Sequence, residues 1–366
     1  MKRSARSSGA LRLGAPLFTP DSLETHVAHL PGRSRGRALR RAATAAITAV
    51  LLGATAGTAL ADGSPAAASA AQRAARKATA PAAEHRARVL RGEAGPGAHL
   101  QSDAQAAPRP KDTGKAKAEG PTAEAPFLSL GAVDNSGDLY YYWPDGQGGL
   151  SPREYVTGGW ENINAATQVD HDRNGFADGL YVRDLAHNVL FSSGADTRRV
   201  ADDWGQYDNF FSPGNLGGAG ESDILVRDRE GVLWLYLAYP DGTLTGRKKV
   251  GPGWGRFTEI AGRGDLTGDG KADVVARDKD GVLWLYKGTG DYTKPFLTKQ
   301  RIGGGWNQFN KLVSFGDVDF DGRTDLVARD HGGALWLYKG TGKAAAPYET
   351  RVKIGNSGWN QFRMLY

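Results

Sequence analysis

Three stretches decide the fold: Gly231-Val-Leu-Trp-Leu-Tyr236, Gly281-Val-Leu-Trp-Leu-Tyr286 and Gly333-Ala-Leu-Trp-Leu-Tyr338. They are near-copies about 50 residues apart, and Asp138-Leu-Tyr-Tyr-Tyr142 and Asn188-Val-Leu-Phe-Ser192 are looser ones. Just before each run stands Arg-Asp, at Arg183-Asp184, Arg227-Asp228, Arg277-Asp278 and Arg329-Asp330, with Asp134 alone in the first copy. A second series ends each unit with a tryptophan: Trp160, Trp204, Trp254, Trp306 and Trp359, spaced 44, 50, 52 and 53 residues apart. Within a unit, short β-like runs alternate with Gly, Asp and Asn turns. The clearest unit reads Asn310–Gly316, Asp325–Arg329, Ala334–Lys339 and Arg351–Ile354. Four strands in some 50 residues, repeated, predict β-propeller blades.

The ends set the blade count. Phe127 to Asp134 matches the second strand of later units, whereas Gln361 to Tyr366 matches a first strand. We therefore expect an all-β, five-bladed propeller over residues 126–366, its opening blade completed by the C-terminal strand. Such closure removes sheet edges that would otherwise template aggregation.

Residues 1–125 read differently. All nine Trp and thirteen Tyr lie at or after Tyr140, so the N-terminal third offers one aromatic, Phe18. Five Arg between Arg33 and Arg41 precede an apolar run, Ala42–Ala61, that ends in Ala59-Leu60-Ala61. That order predicts a signal peptide over 1–61 and an exported, extracellular product, and the run is too weakly apolar for a membrane span. Residues 62–125 are rich in Ala, Pro, Lys and Arg and predict a disordered spacer, with Ala82–Gly92 as one short helical segment. The first 125 residues carry a net charge of +10 and the rest −4, so the basic balance lies outside the blades. A nucleic-acid-binding fold would need its basic stripe on the domain itself, and none is expected.

Acidic turns separate the first and second runs. They are Asp170-His-Asp-Arg-Asn-Gly-Phe-Ala-Asp178, Asp265-Leu-Thr-Gly-Asp-Gly-Lys-Ala-Asp273 and Asp317-Val-Asp-Phe-Asp-Gly-Arg-Thr-Asp325. Oxygens at positions 1, 3, 5 and 9 suit a hard cation, and Gly at position 6 allows the sharp turn. The expected ligands to about three structural Ca²⁺ ions are Asp170, Asp172, Asn174 and Asp178; Asp265, Thr267, Asp269 and Asp273; and Asp317, Asp319, Asp321 and Asp325. The matching turn of the third unit, Asn215 to Asp223, retains too few oxygens and is expected to be empty.

These loops, leading into short strands in 50-residue units, resemble the FG-GAP/VCBS repeat family of integrin α propellers and bacterial exported proteins. The Phe315-Gly316 step before Asp317 fits that family; Arg263-Gly264 departs from it. The Gly-Trp-x-x-Phe junctions, as at Trp254 to Phe257, also resemble tachylectin-type propeller lectins. The FG-GAP/VCBS likeness supports the propeller and the Ca²⁺ positions, whereas the lectin likeness implies repeated shallow sites around the ring.

Candidate chemistry follows from what the repeats place side by side. His171, His187 and His331 are the three His after residue 126, there is no Cys, and no nucleophile elbow or zinc spacing occurs, so no enzyme is expected. Aromatic faces with amides at each junction suit a glycan. The expected site comprises Trp160, Trp204, Trp254, Trp306 and Trp359 with Asn307, Gln308, Asn360 and Gln361, while Trp234, Trp284 and Trp336 are expected in the core. The leading expectation is a calcium-stabilised lectin, and the alternative is a protein-interaction subunit of a secreted assembly.

Overall fold

The computed structural model describes residues 65–79 and 125–366; the expected signal peptide and the Ala82–Gly92 segment lie outside the described residues. One helix, α1 (Pro65–Thr79), precedes twenty strands. Blade 1 begins with β1 (Leu130–Asp134), β2 (Leu139–Tyr142) and β3 (Glu154–Thr157). Blade 2 is β4 (Ile163–Val169), β5 (Gly179–Asp184), β6 (Val189–Ser192) and β7 (Thr197–Ala201). Blade 3 is β8 (Tyr207–Gly214), β9 (Asp223–Asp228), β10 (Leu233–Tyr236) and β11 (Lys248–Gly251). Blade 4 is β12 (Phe257–Ala261), β13 (Val274–Asp278), β14 (Leu283–Tyr286) and β15 (Gln300–Gly303). Blade 5 is β16 (Phe309–Val313), β17 (Leu326–Asp330), β18 (Leu335–Tyr338) and β19 (Val352–Gly355). The last strand, β20 (Phe362–Leu365), returns to pair antiparallel with β1, giving blade 1 the order β20-β1-β2-β3.

Alternation along the third strand of each blade explains the packing. In β14, Leu283 and Leu285 are fully buried on one face, while Trp284 and Tyr286 are half-buried on the other. The leucines of blade 3 pack with Trp254 of the connecting segment and Ile260 of blade 4, and Tyr286 of blade 4 turns back onto Trp254. The sheets of blades 3, 4 and 5 therefore each contribute one aliphatic and one aromatic face to their two neighbours. The innermost strands, β4, β8, β12, β16 and β20, surround a central cavity of about 190 Å³.

A repeated arginine latches each blade to the next. Arg183, Arg227, Arg277 and Arg329, at the ends of the second strands, each reach forward to two main-chain carbonyls of the following unit. Arg329, for example, donates to Trp359 O and Phe362 O at 2.9 Å each, while its Nε donates to Asn310 Oδ1 at 2.8 Å. Blade 1 has Val133 where the others have arginine, and Arg363 of β20 supplies the guanidinium instead, donating to Trp160 O and Ile163 O. Carbonyls left unpaired in a buried junction cost about 1–3 kcal/mol each. Arg277→Ala should therefore lower the unfolding free energy by about 2–4 kcal/mol. Arg277→Lys should recover little of it, because an ammonium lacks the planar fork. Urea titration of the two variants checks this.

The structure corrects one expectation here. Residues 65–79 lie within the stretch read as an extended spacer, yet they form an α-helix. Ala67, Ala70, Ala71, Ala74, Ala75 and Ala78 are at most 1% exposed. Alanine has the strongest helix preference and loses no side-chain entropy on burial. A helix faced by methyl groups can thus pack closely without any aromatic of its own.

Candidate functional site: acidic loops and inter-blade clefts

The acidic loops share one hydrogen-bonding plan. The position-1 carboxylate accepts main-chain N–H bonds from later in the turn: Asp170 from Asn174 and Gly175, Asp317 from Asp321 and Gly322. The position-9 carboxylate accepts from the start of the turn, as Asp325 does from Val318 at 2.9 Å and Asp178 from His171 and Asp172. Position 4 takes a left-handed conformation in each loop, at Arg173, Phe320 and Gly268. For Arg173 and Phe320 that conformation costs about 1–2 kcal/mol, offset by the carboxylate bonds around it. Gly316, which precedes Asp317, has φ +112° and lies against Pro126 so closely that a Cβ would fall 1.6 Å from Pro126 O. The Phe-Gly step is thus required by backbone contact.

Two loops draw three carboxylates together. In blade 2, oxygens of Asp170, Asp172 and Asp178 lie within 4.8 Å of one another, and in blade 5 those of Asp317, Asp319 and Asp325 do so. These two clusters could hold a metal ion. Burial, aided by neighbouring carboxylates, pushes Asp170 and Asp325 up to about 7 and Asp317 to about 6. Asp319 Oδ1 is buried without a hydrogen-bond partner while its Oδ2 meets Lys339 Nζ at 2.8 Å. An orphaned carboxylate oxygen beside two more carboxylates fits a cation's ligand set. Asn174 and Asp321 at position 5 turn their side chains to nearby N–H groups, Phe176 N and Arg323 N respectively.

The blade 4 loop differs from the expected pattern. Thr267 stands at position 3, and Asp269 pairs with Lys287 at 3.1 Å. Asp265, Asp269 and Asp273 are not among the described carboxylate clusters, although burial raises Asp273 to about 7. The blade 3 turn keeps the same backbone form with Asn215 at its start, its Oδ1 accepting from Gly218 N.

Four of the five junction tryptophans are more buried than expected. Trp160, Trp204, Trp254 and Trp306 are 0%, 3%, 6% and 6% exposed, because each stacks on an aromatic of the adjoining blade. The ring centroids lie 4.6 Å apart for Trp204–Tyr236, 4.4 Å for Trp254–Tyr286 and 4.5 Å for Trp306–Tyr338. Trp359 is half-buried against Tyr142 at 4.5 Å. Asn307, Gln308, Asn360 and Gln361 are exposed on the one-turn 3-10 segments beside these tryptophans. Part of that polar surface is already engaged: Gln308 accepts from Arg351 at 2.6 Å, and Asn360 donates to His331 O at 2.9 Å.

Trp234, Trp284 and Trp336, expected in the core, are half-buried at its edge, as Trp359 is. Each donates its indole N–H to the aspartate of the Arg-Asp turn, at 2.7 Å to Asp228, 2.7 Å to Asp278 and 2.8 Å to Asp330. Each also carries a cation over its ring: Arg247 at 4.2 Å, Lys299 at 3.8 Å and Arg351 at 4.3 Å. Blades 3, 4 and 5 thus present one constellation three times, of indole face, carboxylate and cation. The missed signal is the spacing of two between Trp and Tyr in Leu-Trp-Leu-Tyr, which puts both on a single face of the strand.

Fold and loops together define a five-bladed propeller with acidic turns. Residues 265–328, from the blade 4 loop into β17, match the model of the FG-GAP-like repeat. Among solved structures, the BP39L lectin from Burkholderia pseudomallei aligns with 15% identity and a TM-score of 0.42, over 63% of this chain and 67% of that one. Human WBSCR16 aligns with 11% identity and a TM-score of 0.31, over 59% of this chain and 60% of that one. BBS1N, crystallised in complex with ARL6DN, aligns with 14% identity and a TM-score of 0.34, over 63% of this chain and 65% of that one. The chain therefore spans just under two thirds of the latter two, and at these scores no ligand is carried over. No curated protein matches the chain.

The three histidines after residue 126 stand in different settings. His171 is buried against Tyr181 and Phe191, and desolvation lowers it to about 4. His187 and His331 are exposed on turns, and His331 Nε2 lies 2.8 Å from Asn307 O. Among the described residues, no helix is long and apolar enough to cross a membrane.

Proposed function

We propose that this chain is an exported, non-catalytic binding module that recognises glycans through its inter-blade clefts, with Ca²⁺ held in the acidic loops of blades 2 and 5. The supporting observation is the threefold repetition of a half-buried indole bonded to the aspartate of the Arg-Asp turn and roofed by a lysine or arginine. Sugars bind on aromatic faces beside a few polar groups, and repeated weak sites gain avidity on a multivalent surface. The cation can swing from the ring to a ligand's oxygens at a cost of about 0.5–1 kcal/mol for an exposed pair. In the acidic loops, Asp170, Asp172 and Asp178, and Asp317, Asp319 and Asp325, are the ligands, and the ion's chemistry there is charge neutralisation of a turn. Asn174 and Asp321 would complete those two sites from position 5 of their own loops.

A glycan array probed with residues 62–366, with and without EDTA, tests the reading. A family of related hits supports it, and a blank array from folded protein sinks it. Trp284→Ala should weaken binding about fivefold, equivalent to about 1 kcal/mol, without unfolding the domain. Trp306→Ala, by contrast, removes a buried ring and should cost about 3–5 kcal/mol of stability. The second reading, docking of a protein partner, is favoured by the helix seated between blades 1 and 2.

A further inference from the structure

Four of the five blade junctions are closed by the same tryptophan–tyrosine stack. The junction between blades 1 and 2 is built otherwise. There Trp160 stacks on the C-terminal Tyr366, with centroids 5.7 Å apart. In β6, Leu190 and Ser192 hold the register positions that Trp234 and Tyr236 hold in β10. Two aromatic side chains are therefore replaced by a leucine and a serine, which opens a slot along the outer part of the junction.

Helix α1 lies in that slot. Its buried alanines pack with Tyr141, Leu180, Val182 and Leu190. The edges of the slot are polar and main-chain in character. Arg73 donates from Nε to Thr157 Oγ1 at 2.6 Å, Arg76 to Gly194 O, and Gln72 to Ala195 O at 3.0 Å. Tyr141 Oη donates to Ala74 O at 3.1 Å, and Lys77 pairs with Glu154. Gly194 lies so close that a Cβ there would sit 3.0 Å from the Arg76 backbone, and Gly159 faces Arg73 and Ala70. Small residues line the slot on both sides, and both blades supply acceptors for the helix's cations.

We propose that the cleft between blades 1 and 2 is a binding site for a small-faced, cationic α-helix, and that Pro65–Thr79 is a separable ligand occupying it. The specificity follows from size and charge together. A helix with a residue larger than alanine at positions 70, 71, 74 or 75 cannot approach, and one lacking Arg73 and Arg76 leaves Thr157 and the Gly194 carbonyl without their partners. The site is independent of the glycan reading, because it lacks the Trp–Asp–cation constellation of blades 3 to 5.

The test uses the 62–366 chain with a protease recognition sequence inserted within residues 80–125. After cleavage, the N-terminal fragment should co-elute with the propeller at micromolar concentration and exchange one-for-one with a fluorescent 62–80 peptide. The Ala74→Glu peptide should bind at least about tenfold more weakly, since it places a carboxylate in a slot with no space for it. In the uncut chain, Leu190→Trp with Ser192→Tyr restores the aromatic pair of the other blades and should expel the helix. Trypsin should then cleave after Arg73, Arg76 and Lys77 at least about tenfold faster, while the propeller stays folded. A fragment that elutes free after cleavage, an Ala74→Glu peptide that binds as well as the parent, or unchanged trypsin protection in the double variant would each overturn the proposal.

Discussion

A chain ending at Gln361 should fail to form the closed ring. The missing strand supplies Phe362 and Leu365, 2% and 4% exposed, and Tyr366, which covers Trp160. It also removes Arg363, the latch between blades 1 and 2, and the paired main-chain bonds between Gly131 and Tyr366. Deleting a single buried Phe or Leu side chain costs about 2–5 kcal/mol. Losing both, together with the strand's hydrogen bonds, approaches the whole stability of about 5–15 kcal/mol that a domain has to lose. What remains exposes β1 along its full length as an unpaired edge, a template for association. The expected outcome is loss of the cooperative melting transition, with the product in large species on gel filtration. Gly131→Ala is a milder probe of the same closure, because a Cβ there falls 2.4 Å from the Tyr366 ring. It should lower the melting temperature without abolishing the transition. A truncated chain that melts like the full one would refute closure by β20.

The repeat made the blades legible because alternation and turn residues are local signals, visible in any one unit and confirmed by recurrence. Even the missing first strand at Phe127 and the surplus strand at Phe362 could be matched from sequence alone. Other features depend on contacts made far along the chain. Arg363 takes over a role that position 133 lacks, and only the pairing of β20 with β1 brings the two together. Four junction tryptophans lie deeper than the sequence suggests, because Gly-Trp reads as a turn and turns are usually open. Here the ring folds under the next blade and stacks on a tyrosine more than 30 residues away, as Trp254 does on Tyr286. Helix α1 was missed for a different reason. Counting aromatics gauges whether a segment can build its own core, but an alanine face needs only a slot already made by others. The acidic loops stood out by spacing, yet spacing alone could not show that Asp269 turns to Lys287 while Asp319 keeps one oxygen unpaired.

The second large effect concerns the carboxylates that the fold buries. Burial, reinforced by like charges within each loop, raises Asp170, Asp273 and Asp325 to about 7 and Asp317 to about 6. Their unfolded values lie near 3.8. A carboxyl whose folded value is the higher one binds more protons in the folded state across that interval, so stability falls as pH rises through it. In EDTA, the protein should therefore melt at a higher temperature at pH 5 than at pH 7.5. Calcium needs the ionised form and releases protons on binding, so its stabilising effect should grow over the same interval. At 100 times the dissociation constant a single site adds about 2.7 kcal/mol, so two sites would raise the melting temperature by on the order of 10 °C at pH 7.5. At pH 5 the same calcium should add much less. Asp223, raised to about 7 by burial in the blade 3 turn, has no such ligand set around it, so a smaller pH dependence should persist in saturating calcium. Asp319→Asn separates metal binding from turn structure. In EDTA it relieves repulsion but gives up the Lys339 ion pair, so stability should change little, whereas in calcium at pH 7.5 it should forfeit the gain of the blade 5 site. Differential scanning calorimetry at the two pH values, with and without calcium, reads every one of these arms. If calcium leaves the melting temperature unchanged at pH 7.5, the acidic loops are turns without an ion, held by their own N–H bonds as the blade 3 turn is.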